Sequence, residues 1–465
     1  MRRLLVLVSL LFTLSGAVGA ADAPQWYFAV KPAAGQLITY TVEGQQKVLI
    51  ESGMYASSSA IWRLTSDSVL ASFFVNDQGG LYRLTSADVQ RFTAKSSDAE
   101  QLLDANHSWT LVSKAGPYVV LWSQQKVPLA DALVVNVDAG TFEKLTDRVV
   151  GTRSQAPKLS ADGRYVRYLS RDTSPDSKQT RLIERKLETG AERVLYTIDD
   201  DMLPYISVDQ YGEHWLYQRL MKDGVQSTLI TPDGKIEQSK QAVNEPGSQL
   251  QLVTSDGILS YSPMCKQNCP LKLQPYSGES ATTLTLPANE KGYGVSSLIR
   301  LDNDSWLVYS GPSNWVLRRD GSAQALHFSP EKLFQPVEQR LSPDRRFILA
   351  LKEDETGWQV WDNQQQKFAL ESKPDDKPIY AMIFYGGGGF VVEDGLHFTL
   401  YRPGDGQVMD LPKAKGQYFE PLADGRVLYF GPPVDAPEPL GIYLYNPADQ
   451  QFTLLVEGGR PLRVQ

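Results

Sequence analysis

The residues of this chain whose types could do chemistry are few and scattered. There are two cysteines and four histidines in 465 residues. Cys265 and Cys269 stand in the stretch Ser262-Pro263-Met264-Cys265-Lys266-Gln267-Asn268-Cys269-Pro270. Two close cysteines in an exported chain read as a disulfide, because a zinc site needs two further Cys or His ligands and none is near in sequence. So short a loop gains only about 2 kcal/mol from closure, enough to pin the loop and no more. His107, His214, His327 and His397 share no H-E-x-x-H spacing. His214, between Glu213 and Trp215, reads as a structural histidine in a strand rather than a proton carrier.

The acidic runs are Asp199-Asp200-Asp201 and Asp302-Asn303-Asp304. Calcium takes six to eight oxygens from a loop of defined spacing, and D-x-[DN]-x-[DN]-G is absent, so both runs read first as solvated turns with a calcium site as the alternative. The expectation is therefore no catalytic residue, no metal ligand and no cofactor, with the ligand-binding residues open. Trp62, Trp109, Trp215 and Trp306, with Trp358 and Trp361, could form stacking platforms for sugars or peptides. Large rings are packed as core more often than displayed, and burial is the expectation.

Around these residues the chain repeats one pattern, clearest from Ala156 to Thr197. It reads as strand, Asp-Gly turn, strand, long loop, strand, Thr-Gly turn, strand, since short β-rich runs are punctuated by residues that tolerate positive φ. In Leu159-Ser160-Ala161-Asp162-Gly163-Arg164-Tyr165, Asp162 can accept backbone hydrogen bonds and Gly163 can take the left-handed conformation. A second copy runs from Leu341 through Ser342-Pro343-Asp344-Arg345-Arg346 into Phe347-Ile348-Leu349-Ala350, a strand apolar on both faces. Two-sided burial is what stacked sheets require.

Outer hairpin turns recur near Gly44, Ala87, Gly140, Gly190, Gly234, Gly278, Gly321, Asn363, Gly406 and Ala448, at intervals of 42 to 53 residues. These count as ten repeats of about 45 residues, the length of a four-stranded propeller blade. Trp26-Tyr27-Phe28-Ala29-Val30 aligns with the second strand of later repeats, so the first repeat lacks its innermost strand. The tail Arg460 to Gln465 is a leftover strand, with Arg463-Val464 expected to pair into the first blade and remove exposed edges. Ten blades exceed the usual four to eight, so two smaller rings with a seam at 241–249 stand beside one large ring, which closure favours slightly.

Ser160 to Tyr165 and Ser342 to Phe347 resemble the TolB-type, WD-like propeller repeat. Ser207 to Gly212, Ser255-Asp256-Gly257 and Ala423 to Arg426 are weaker versions. The resemblance implies an all-β fold, a β-propeller, over residues 21–465, and carries no functional residue across. The nucleophile elbow G-x-S-x-G occurs nowhere in the chain, which argues against the hydrolase domain that accompanies propellers in prolyl oligopeptidase relatives.

At the N-terminus, Arg2 and Arg3 precede an apolar run from Leu4 to Leu14 and small residues ending Val18-Gly19-Ala20. Residues 1–20 read as a secretory signal peptide, so the protein is expected to be exported, periplasmic or secreted, with no transmembrane segment after its removal. The formal net charge is −8, and removing Arg2 and Arg3 with the leader leaves −10, which disfavours nucleic acid as a partner. With no nucleophile, metal constellation or paired-carboxylate motif, the expectation is a non-catalytic binding or scaffold protein with a protein or glycan partner at a propeller face. The alternative is a propeller enzyme acting on polysaccharide, a glycoside hydrolase or lyase whose carboxylates converge from separate blades. Intact mass of the protein from its native host should correspond to a chain starting at Ala21; a chain that keeps Met1 to Ala20 overturns the exported reading.

Overall fold

The computed structural model describes residues 26–462 apart from short internal stretches, the longest at 172–178, 242–249, 262–268, 287–296, 328–340 and 373–380. The described strands form a succession of antiparallel meanders, numbered here as units along the chain. Unit 1 holds Tyr27–Lys31, Gln36–Tyr40 and Gln46–Ile50. The strands of units 2 to 10 then run over 54–91, 110–144, 158–199, 205–241, 250–286, 297–327, 347–371, 381–411 and 419–457. The architecture is an all-β propeller; among the described residues the strands within each unit are joined in sequence order, Thr93–Ala94 adds in parallel to the last strand of unit 3, Val149–Val150 bridges units 3 and 4, and His327 pairs with Leu351 between units 7 and 8.

Unit 1 takes its fourth strand from the far end of the chain. Ala29 pairs with Pro461 and Val30 with Arg460, and the Leu462 N–H donates to the Phe28 carbonyl at 2.9 Å. Pairing was expected at Arg463 and Val464, which lie outside the described residues; it is Arg460 and Pro461 that make it. The last unit also shares a buried cluster with the first, in which Leu428, Ile442 and Val456 meet Ala29, Ile38 and Tyr40.

The turns follow from local chemistry. Ser160 Oγ donates to Asp162 at 2.7 Å, the Arg164 N–H donates to Asp162 at 2.9 Å, and the Tyr165 N–H donates to Ser160 Oγ at 3.0 Å. These bonds hold the Asp162 carboxyl down at about 2, the Ser160 hydrogen bond being the largest cause. Ser342, Asp344 and Phe347 repeat the pattern, with the Arg346 N–H at 3.1 Å from Asp344 and the Phe347 N–H at 2.8 Å from Ser342 Oγ. Gly163 sits at φ +67, where a Cβ would come within 3.0 Å of the Ala115 carbonyl. Arg345 occupies the matching place at φ +60, and its guanidinium reaches back to the Arg300 carbonyl at 2.6 Å. That bond offsets a backbone cost of roughly 1 kcal/mol.

Apolar residues on both sheet faces are buried by neighbours, and Phe347–Leu351 is buried at every position. Residues of units 7, 8 and 9 join in one cluster around it. Among the described residues the one helix is Ser97–Asp104, between units 2 and 3. Ser96 caps it by accepting the Ala99 N–H at 3.3 Å, Asp98 and Glu100 suit its N-terminal dipole, and Ala99 and Leu103 bury beside Trp62 and Phe92. This insertion accounts for the long interval between the turns at Ala87 and Gly140.

Deleting residues 459–465 removes the fourth strand of unit 1 and exposes a sheet edge. Thermal unfolding should fall by several degrees, at about 2–4 °C per kcal/mol lost. An unchanged midpoint would show that the edge needs no partner.

Candidate functional site

In several units the turn between the first two strands meets the turn between the last two strands of the following unit, and the polar groups of the molecule concentrate there. Arg167, at the start of the second strand of unit 4, is the most heavily bonded. Its Nε and Nη2 donate to Glu184 at 2.9 and 2.7 Å. Its other N–H groups reach into unit 5, to the carbonyls of Glu213 at 2.6 Å, Pro232 at 2.5 Å and Thr231 at 3.4 Å. Both members of the pair are buried, and Arg193 closes on the other oxygen of Glu184 at 2.7 Å. Buried charge of this kind survives only when its hydrogen bonds are filled. In units 7 and 8, Asn363 Nδ2 donates to Asp302 at 2.6 Å and Ser305 at 2.9 Å, while Arg318 donates to the Asn363 carbonyl at 2.7 Å. Burial raises the Asp362 carboxyl, but hydrogen bonds from Arg346 outweigh it and hold the group below the ordinary carboxylate range.

Units 5 and 6 meet through a histidine. His214 Nδ1 lies 2.8 Å from Asp209, which also accepts the backbone N–H groups of Glu213 and His214 at 2.9 and 3.0 Å. The imidazole stacks on the Tyr276 ring at 3.6 Å with 5° between planes, and the Tyr276 hydroxyl donates to the Thr254 carbonyl at 3.0 Å. A carboxylate on Nδ1 orients an imidazole and selects its tautomer, which is the base half of an acid–base pair. Sequence reading placed His214 as structural and missed both partners. Asp209 could have been found as the inner-turn acceptor equivalent to Asp162, and Tyr276 by its place beside the Gly278 turn.

The other candidates are dispersed. Cys265 and His107 lie outside the described residues, and only the backbone of Cys269 and of His397 is described. His327 ends a strand of unit 7, paired with Leu351. Among the described residues, no three His, Cys, Asp or Glu side chains come together as a metal-binding group. Trp62, Trp109, Trp215, Trp306, Trp358 and Trp361 are all buried, so none is a stacking platform. The buried carboxylates Glu184, Asp209 and Asp362 belong to units 4, 5 and 8. Each is tied to its own partners, which does not support the paired carboxylates of a polysaccharide enzyme. Among the described residues, no helix is long and apolar enough to cross a membrane.

No family model matches the chain, and no curated protein matches it in sequence. Solved structures do match. A prolyl endopeptidase structure is 12% identical with a TM-score of 0.41, covering 74% of this chain and 54% of its own. Prolyl oligopeptidase B from Galerina marginata is 10% identical with a TM-score of 0.38, covering 74% and 55%. A eukaryotic initiation factor is 12% identical with a TM-score of 0.44, covering 86% and 96%. The chain spans about half the length of the peptidases it matches. Peptidases recur among the similar structures, and the expectation of a non-catalytic binding or scaffold protein is corrected on that finding. The likeness is distant, and no residue role is carried across from it.

Glu184→Gln leaves Arg167 buried without its counter-charge and should cost about 3 kcal/mol in urea unfolding. The double variant Arg167→Met/Glu184→Leu should recover much of that loss. A single variant within about 0.5 kcal/mol of the unaltered protein would show the pair to be no better than a surface contact.

Proposed function

We propose that this chain is the propeller portion of a peptide-hydrolysing protein, holding an extended peptide while the bond is cut by a nucleophile outside the described residues. The observation that carries this reading is the pairing of the sheets. Among the described residues, the first strand of units 2, 3, 5, 6, 7, 9 and 10 pairs with one neighbouring strand, and its other edge presents backbone N–H and C=O groups. A peptide is the ligand that satisfies such a row, since it offers the same groups at the same spacing. Asp209 and His214 add an oriented imidazole near one of these strands.

The same reading places the units in one circuit of ten, which the shared cluster of units 10 and 1 and the pairing of Arg460 with Val30 support. The turn bonds common to Ser160–Tyr165 and Ser342–Phe347 favour TolB-type repeats. The protein acts after export, with residues 1–20 removed and Cys265 bonded to Cys269.

Fluorescence anisotropy with a labelled tryptic digest of casein tests the proposal, with mass spectrometry of the same mixture to detect cleavage. Peptides should bind, and backbone N-methylation should weaken binding at least tenfold by removing donors. Absence of peptide binding, or equal binding of N-methylated peptides, would refute it.

A further inference from the structure

Each unit ends in an outer strand, whose far edge is a template for further pairing unless something blunts it. Among the described residues most of these edges are blunted. In units 1, 4, 8 and 10 the outer strand carries one extra residue, Leu49, Leu195, Ala369 and Leu455 in turn, which breaks the register and twists the edge. The outer strand of unit 2 has only three residues, Val89–Arg91. Those of units 3 and 7 are joined at their far edge, by Thr93–Ala94 and by Leu351. Units 5, 6 and 9 keep regular, open outer strands, Ile236–Gln241, Thr282–Leu286 and Gln407–Leu411. Charge guards two of these, through Glu237 and Lys240 in unit 5 and Asp410 in unit 9.

In unit 6, Thr282-Thr283-Leu284-Thr285-Leu286 has none of these protections: no bulge, no charge, no proline and, among the described residues, no strand beyond it. Its alternation also matches itself. Thr283 and Thr285 are exposed on one face, and Leu284 and Leu286 are buried on the other, in one cluster with Trp315 and Leu317 of unit 7. A second copy laid antiparallel about a two-fold axis through Leu284 sets Thr283 opposite Thr285 and each Leu284 opposite the other, so that polar meets polar on one face and apolar meets apolar on the other. The same operation on unit 9 about Met409 sets Val408 opposite Asp410. Two chains of net charge −8 repel, and the strand of unit 6 brings no charge opposite its like.

We infer that the outer edge of unit 6 is a self-association surface, at which Thr282–Leu286 pairs with the same strand of a second copy and the two four-stranded sheets become one continuous sheet. This goes beyond the peptide reading and does not depend on it. One strand from each copy buries little area, so the dimer is weak and forms as concentration rises. Sedimentation velocity of the full chain over a range of concentrations should show monomer passing to dimer. Thr283→Lys/Thr285→Lys, at exposed positions, should weaken the dimer at least tenfold by setting like charges opposite each other, with an unchanged melting temperature where the unaltered chain is monomeric. Thr283→Glu/Thr285→Glu should do the same, and an equimolar mixture of the two variants should associate again, because Lys and Glu then stand opposite. A monomer at every concentration, a dimer of unaltered affinity in the lysine variant, or a mixture of folded variants that stays monomeric overturns the inference, whatever other strand binds the edge.

Discussion

A small sheet with apolar residues on both faces cannot stand in water by itself, and this molecule is arranged around that constraint. Phe347 to Leu351 is hydrophobic at every position, so the sheet containing it needs a neighbour on either side. Buried clusters answer that need at most of the described joints, and unit 10 meets unit 1 in the same way. The hydrophobic effect is indifferent to direction, so sheet covering sheet supplies stability without fixing how two sheets are aligned.

Alignment comes from the polar bonds at the turns. Arg167 binds its own strand partner and three carbonyls of the next unit, and Asn363 ties its turn to Asp302, Ser305 and Arg318. Such bonds are directional and cost a buried charge or amide when misplaced. Packing and latching therefore divide the work, one giving energy and the other register. At units 5 and 6 a polar contact of this kind joins the turns, through His214 and Tyr276.

The fold was legible because its turns are chemical. Ser160, Asp162 and Gly163 announce one inner turn, and glycines such as Gly234, at φ +82, mark outer ones. Arg345 shows the limit, since its positive φ is held by a bond to Arg300 that only the folded chain creates. The helix at Ser97–Asp104 left its trace as a lengthened interval, though its short span gave little periodic signal. The candidate site was harder to see. Asp209, His214 and Tyr276 are far apart in sequence and meet across two units, and no linear motif records such a meeting. The alternation Leu271-Lys272-Leu273-Gln274 was visible and contrasts with Phe347-Ile348-Leu349-Ala350: in the first the leucines are buried and Lys272 and Gln274 exposed, in the second every residue is buried.

The strand from Arg460 to Pro461 belongs to the same sheet as Tyr27 to Lys31, and this imposes an order on assembly. During synthesis the first sheet must wait, three-stranded and with one edge bare, until Arg460 and Pro461 have left the ribosome. Closing a loop of that length costs only a few kcal/mol of entropy, because the penalty grows with the logarithm of length, but it makes the final step slow. Until then the first sheet is not locked in its final form. It also spends that time with an edge that other chains can join.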